Sequence, residues 1–253
     1  MKNIFKIFWL LIMVCFFTGA NAFAYEILDN YIGGNPTSPS YMGKDIIGDA
    51  NLFAVSKMDV NFSGGNMIVD IYSTYFDNIG MYETQLVDLF ISTDGYHPYI
   101  VNGSTAYDNC YNGEDWEYAI VLDNHTTQGS GITNVYGVNP SNIKLSYAPS
   151  GYIYRAGQEV QYNGTGQASL GSGTWDISDD YSYLRISIAM MGNNGAYDWT
   201  DETEFGFHWA TATCGNDVIE GSAPAPVPEP STMILLFTGL AGFFGFRKKS
   251  RRT

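Results

Sequence analysis

Residues 57–76, KMDVNFSGGNMIVDIYSTYF, decide the fold class. Met58, Val60 and Phe62 alternate with polar residues, Ser63-Gly64-Gly65-Asn66 carries turn chemistry, and Met67, Val69 and Ile71 resume the alternation. Successive side chains of a strand point to opposite faces, so the pattern predicts a β-hairpin with one buried face. The same period returns downstream. WEYAIVLD sets Trp116, Tyr118, Ile120 and Leu122 on one face, and YLRISIAM does so with Leu184, Ile186, Ile188 and Met190. EFGFHWATAT sets Phe205, Phe207 and Trp209 against Gly206, His208 and Ala210. Residues 86–93 read as a buried strand, and TNVYGV, NIKLSYA, GYIYRAG and EVQYNG are weaker strand candidates.

No long helical period interrupts residues 25–221, and clusters of Gly, Asn, Asp and Ser separate the strands at intervals suited to two packed sheets. The expected architecture is all-β, a single β-sandwich domain of jelly-roll or carbohydrate-binding-module type, with two packed sheets preferred to a closed barrel that the sequence separates from it only poorly. Composition agrees with an extracellular domain, with aromatic residues at 15%, charged residues at only 15% and 28 glycines. Of 12 Lys and Arg, two lie near the N-terminus and five near the C-terminus, which leaves five for residues 25–221; 25 of the 26 acidic residues fall there, so this region carries about −20. That charge excludes nucleic acid and anionic lipid as partners of the body, and is compatible with divalent cations.

Both ends are signals. MKNIFKIFWLLIMVCFFTGANAFAYE has basic residues at Lys2 and Lys6, an apolar run over 7–17, and small residues at Ala20, Ala22 and Ala24. This is the layout of a secretory signal peptide, residues 1–24, with cleavage after Ala24 the first choice and after Ala22 the second. At the other end, Pro224, Pro226, Pro228 and Pro230 predict an extended, protease-accessible linker over 222–230, since proline fixes φ and lacks a backbone donor. The apolar run 232–246 would form about 22 Å of helix against a hydrocarbon core of about 30 Å, a short transmembrane helix over 231–246. Arg247, Lys248, Lys249, Arg251 and Arg252 follow as a basic cytoplasmic tail and orient the body outward.

This terminus, with Val227, Pro228, Glu229 and Pro230, then an apolar helix, then a basic cluster, resembles the PEP-CTERM sorting signal, also labelled an ice-binding protein C-terminal domain. The resemblance implies recognition and processing by an exosortase, a membrane enzyme with a thiol nucleophile, in systems that accompany exopolysaccharide production. It implies an inner-membrane intermediate followed by release to the cell surface or the extracellular matrix. The body is similar to a recurrent ectodomain of PEP-CTERM proteins through YMGKDIIGDANLFAVSKMDVNFSGGNMIVDIYSTYF, DLFISTDGYHP, EDWEYAIVLD and FHWATATCGNDVIEG. The order of these motifs also resembles DOMON-like and family 9 carbohydrate-binding sandwiches, a likeness of fold only.

Candidate chemistry is sparse. The body has three histidines, His97, His125 and His208, and no GxSxG, so no catalytic site is expected. Hard cations take oxygen ligands from irregular loops; GKDIIGDAN offers Asp45, Asp49 and Asn51, and CGNDVIEG offers Asn216 and Asp217. No cofactor is required, and Ca²⁺ is the one these oxygens could take. Asp45 and Asp49 could equally cap turns. Trp199 in NNGAYDWTDE and Trp175 in GSGTWDISDD lie in polar surroundings and are the candidates to stack on a sugar, whereas Trp116 and Trp209 read as core. Cys110 and Cys214 are a candidate disulfide in an oxidising compartment. The expected role is structural, adhesive or polysaccharide-binding. The alternatives are a secreted carbohydrate-active hydrolase and a permanently membrane-anchored periplasmic protein. Replacing Pro228-Glu229-Pro230 by alanines should leave the full-length chain trapped in the membrane, read from the mass of the mature C-terminus; unchanged maturation would make the motif incidental.

Overall fold

The computed structural model describes residues 23–30, 35–98, 100–101, 104–105 and 116–226. In chain order the strands are β1 (Phe23–Leu28), β2 (Asn35–Pro36), β3 (Val55–Ser63), β4 (Asn66–Ser73), β5 (Leu89–Ser92), β6 (Ile100–Val101), β7 (Ser104–Thr105) and β8 (Tyr118–Leu122). They continue as β9 (Ser130–Gly137), β10 (Ile143–Leu145), β11 (Arg155–Ala156), β12 (Glu159–Tyr162), β13 (Gly171–Ile177), β14 (Tyr183–Ala189), β15 (Glu204–Ala210) and β16 (Val218–Pro224). One helical turn, α1 (Ala50–Phe53), leads into β3. Among the described residues no helix is long and apolar enough to cross a membrane. The expected span at 231–246 lies outside them.

The hairpin read from the sequence is present as β3–β4. Met58, Val60, Met67, Val69 and Ile71 are fully buried, and Gly64 and Gly65 both have positive φ (60° and 79°). Two consecutive positive φ values make the tight turn whose twist matches that of the flanking strands, which is why glycines stand there.

The all-β class is as expected, and the arrangement of the strands lies nearer the barrel alternative than two separate sheets. Ten strands form one continuous antiparallel sheet in the order β1-β3-β4-β14-β13-β9-β8-β5-β15-β16. It rolls over a single apolar core, so that it is sandwich-like in section but nearly a barrel. Its two edge strands, β1 and β16, lie against each other. A Cβ on Gly221 would sit 2.6 Å from Cγ2 of Ile27, so a side chain there would force Ile27 to shift.

A second, smaller layer covers part of the outside. β12 crosses β15 and β8, and Phe90, Trp116 and Ala119 pack beneath it. This is why β15, read as one-faced, is buried on both faces. His208 points into this layer, with Nδ1 2.5 Å from Glu220 Oε1 and Nε2 2.7 Å from the Glu159 carbonyl. Asp88 fastens the layer to the sheet: its carboxylate accepts from Leu122 N (3.1 Å) and Tyr162 N (2.8 Å) and lies 2.7 Å from His125 Nε2.

Strand direction gives the body two poles. At one lie the β3–β4 turn, the N-terminal end of β1 (Phe23 opposite Phe62) and the C-terminal end of β16 (Pro224 opposite Glu204). At the other lie the C-terminal end of β1, the start of β3, and the turn between β15 and β16. The 190–203 connection folds back over the first pole, with Trp199 N donating to the Met190 carbonyl at 2.9 Å.

The two tryptophans expected on the surface are inside. Trp199 is 1% exposed and packs on Tyr197 (ring centroids 4.3 Å), Tyr118 (5.0 Å) and Phe205 (5.9 Å). Trp175 is 2% exposed in β13, and its Nε1 donates to Asp123 Oδ1 at 2.7 Å. Polar neighbours in sequence had suggested loops, but the 190–203 segment turns its two large rings, Tyr197 and Trp199, inward as a plug. Neither ring is available to a sugar. Trp199→Ala should therefore destabilise the body by about 3–5 kcal/mol, measured as a lower urea midpoint; a surface ring would change stability by less than about 0.5 kcal/mol.

Candidate functional site

The two oxygen-rich segments singled out in the sequence meet at the second pole. Ile47 N donates to the Asn216 carbonyl at 2.7 Å, and Asn216 Nδ2 returns a bond to the Ile47 carbonyl at 2.6 Å. Asn216 Oδ1 also accepts from the Cys214 thiol. Asn216 is thus a staple between segments 169 residues apart, not a ligand facing outward. Asp49 caps α1 by accepting from Asn51 N and Asn51 Nδ2, both at 2.9 Å, so these two residues satisfy each other locally.

Asp45 and Asp217 do come together, joined by Asp29 from the end of β1, which no sequence signal had marked. One carboxylate oxygen of each lies within 4.8 Å of the others. Asp217 is fully buried; its Oδ2 accepts from Val55 N at 2.7 Å and its Oδ1 from Val218 N at 3.0 Å. Burial, together with the nearby charge of Asp29, pushes the Asp217 carboxyl up to about 8 despite those two amides. Burial also raises Asp45, opposed by the charge of Arg155. The buried Arg155 guanidinium donates from Nη2 to the main-chain carbonyls of Lys44 (3.2 Å) and Asp45, fixing the loop that carries Asp45. Three carboxylates this close repel when ionised, and the repulsion is relieved by a proton on Asp217 or by a hard cation. The set that could hold Ca²⁺ is therefore Asp29, Asp45 and Asp217, without Asp49, Asn51 or Asn216.

Beside this cluster opens a cleft of about 250 Å³. Leu52 and Phe53 of α1, Tyr82, Tyr147 and Tyr152 line it, and Asn216 closes the side toward the acidic cluster. Tyr82 and Tyr152 are 48% and 49% exposed with ring centroids 5.5 Å apart. Tyr82 and Glu83 both take left-handed backbone conformations, at φ 55° and 61°. For residues other than glycine, that conformation costs of order 1–3 kcal/mol each and persists only where surrounding structure imposes it. Tyr147 is positioned by its amide on the Thr213 carbonyl (2.8 Å), and Lys144 Nζ sits 4.1 Å from the centre of its ring. The tyrosines come from two connections far apart in the chain, Tyr82 between β4 and β5 and Tyr147 and Tyr152 between β10 and β11, so no local pattern announced the cleft.

Of the other expected residues, Cys214 is buried and burial pushes its thiol up to about 12. Its expected partner Cys110 lies outside the described residues. So do Val227, Pro228, Glu229, Pro230 and the basic tail Arg247, Lys248, Lys249, Arg251 and Arg252. The three histidines are far from one another in role: His208 and His125 join the outer layer as described, and His97 Nε2 lies 2.7 Å from the Asp94 carbonyl.

Residues 226–252 match the family profile described as the PEP-CTERM protein-sorting motif. The chain carries that motif and is an exosortase-targeted protein with a secreted or cell-surface destination. Comparison with curated proteins and with solved structures found no match.

Asp217 makes stability depend on pH. Its carboxyl holds a proton up to about 8 in the folded state but ionises near 3.8 when unfolded. Between these values the folded state binds more protons, so its stability is greatest at the acidic end and falls as pH rises toward 8. In chelator, Tm should fall from pH 5 to pH 8, and Asp217→Asn should flatten that slope; an unchanged slope in the variant would assign the effect elsewhere.

Proposed function

We propose that the exported body binds polysaccharide at the cell surface or in the extracellular matrix, and that it does so without catalysis. The observation that carries this reading is the tyrosine-lined cleft. Exposed aromatic rings offer flat apolar faces to a sugar ring, and their hydroxyls, with the amides and carbonyls of the rim, suit its hydroxyl groups. A volume of about 250 Å³ lies at the small end of ligand pockets, room for one ring of a chain that continues into solvent. Glycoside hydrolysis would need two opposed carboxylates; the cleft lining includes Asp49, whose Oδ1 is already engaged in capping α1. The strong negative charge of the body favours neutral or cation-bridged polymers over anionic ones bound directly.

Purified protein, tested on a glycan array and on polysaccharide from the producing cells, should bind, and Tyr152→Ala and Tyr82→Ala should each weaken binding about fivefold or more. Ile132→Ala, which removes an exposed apolar residue of β9, should leave it unchanged. Equal binding by the tyrosine variants, or product release from the bound glycan, would reject the reading.

A further inference from the structure

The sorting motif begins almost where the folded body stops. β16 runs through Ser222, Ala223 and Pro224, all assigned to the linker from sequence. Ala225 is only 6% exposed, and its amide donates to the Thr203 carbonyl at 2.9 Å. The match to the sorting profile starts at residue 226. Six residues, 226–231, therefore separate the last anchored residue from the apolar run. Even as an extended polyproline chain at about 3.1 Å per residue they reach only about 19 Å. A seven-residue strand such as β16 is about 23 Å long, and capping segments lie beyond it at both poles.

The exit is at the pole formed by the β3–β4 turn, the N-terminal end of β1 and the 190–203 connection. The cleft and the acidic cluster are at the other, where the turn between β15 and β16 meets Gly48 and Asp49. A tether shorter than the strands cannot carry the body over so that the cleft lies on the bilayer. We infer that the body stands on the membrane by its β3–β4 pole, that this pole is the surface presented to the membrane-embedded sorting enzyme, and that the cleft opens away from the lipid. The orientation rests on the apolar run 232–246 lying in the bilayer before processing and on the strand directions, and it holds whatever the cleft binds.

The test compares two exposed positions, Ser63 in the β3–β4 turn and Ser150 beside the cleft. Full-length Ser63→Cys and Ser150→Cys chains, each with Cys110→Ser, are produced in a host without an exosortase and probed in right-side-out membrane vesicles with a bulky, impermeant polyethylene glycol maleimide. The expected result is labelling of Ser150→Cys several-fold faster than of Ser63→Cys. Inserting a long Gly/Ser linker between Pro226 and Val227 should bring the two rates together. Equal rates without the linker, a slow Ser63→Cys that the linker does not rescue, or a chain that fails to sediment with the vesicles would each overturn the inference. None of these readouts involves a glycan, so their failure is distinguishable from failure of the sugar-binding reading.

Discussion

An open antiparallel sheet leaves two edges of unpaired amides and carbonyls, and an extracellular protein with such edges is exposed to edge-to-edge association. Here the first and last strands of a ten-stranded sheet lie side by side, and the contact that permits it is Ile27 against the bare Cα of Gly221. Because β1 and β16 run in opposite directions where they lie against each other, this seam has two consequences. The residue after β1, Asp29, arrives beside the residue before β16, Asp217. At the other pole, the start of β1 arrives beside the end of β16, so the described chain enters and leaves the sheet on one side.

Closure also explains the electrostatics. Asp217 is fully buried where β16 begins, and its two amide partners, Val55 and Val218, open β3 and β16. Asp45 is delivered by a loop that Arg155 holds through main-chain carbonyls and that Asn216 ties to the β15–β16 turn. A buried carboxyl next to two others is unfavourable in the ionised state. Its persistence couples the packing of this pole to proton or cation occupancy, and the adjoining cleft shares Asn216 with the same structure.

The division of labour follows. The C-terminal motif fixes destination, and the body contributes what happens after arrival. In the orientation proposed above, the tether at one pole and the aromatic cleft at the other would put the processing step and the proposed binding surface on different faces.

Residues 57–76 and 183–190 determined their own strands, since alternate burial is a local property that the sequence writes at period two: Met58, Val60, Leu184, Ile186 and Ile188 are all fully buried. The sorting motif and its order of proline, apolar and basic residues were equally legible, because each acts through composition. β13 was not, because Gly171-Ser172-Gly173 has the chemistry of a loop; the tertiary reason for the glycines is that Tyr197 Oη and the Ser187 carbonyl occupy the space of their Cβ atoms. Trp199 was misplaced for a related cause, a polar loop that folds inward. Asp45 and Asp217 were found from oxygen-rich segments, whereas Asp29 and the three tyrosines had no signal. Their association depends on where the two edges of the sheet meet and on how the connections pack over its end, and contacts between residues distant in the chain leave no period in the sequence that makes them.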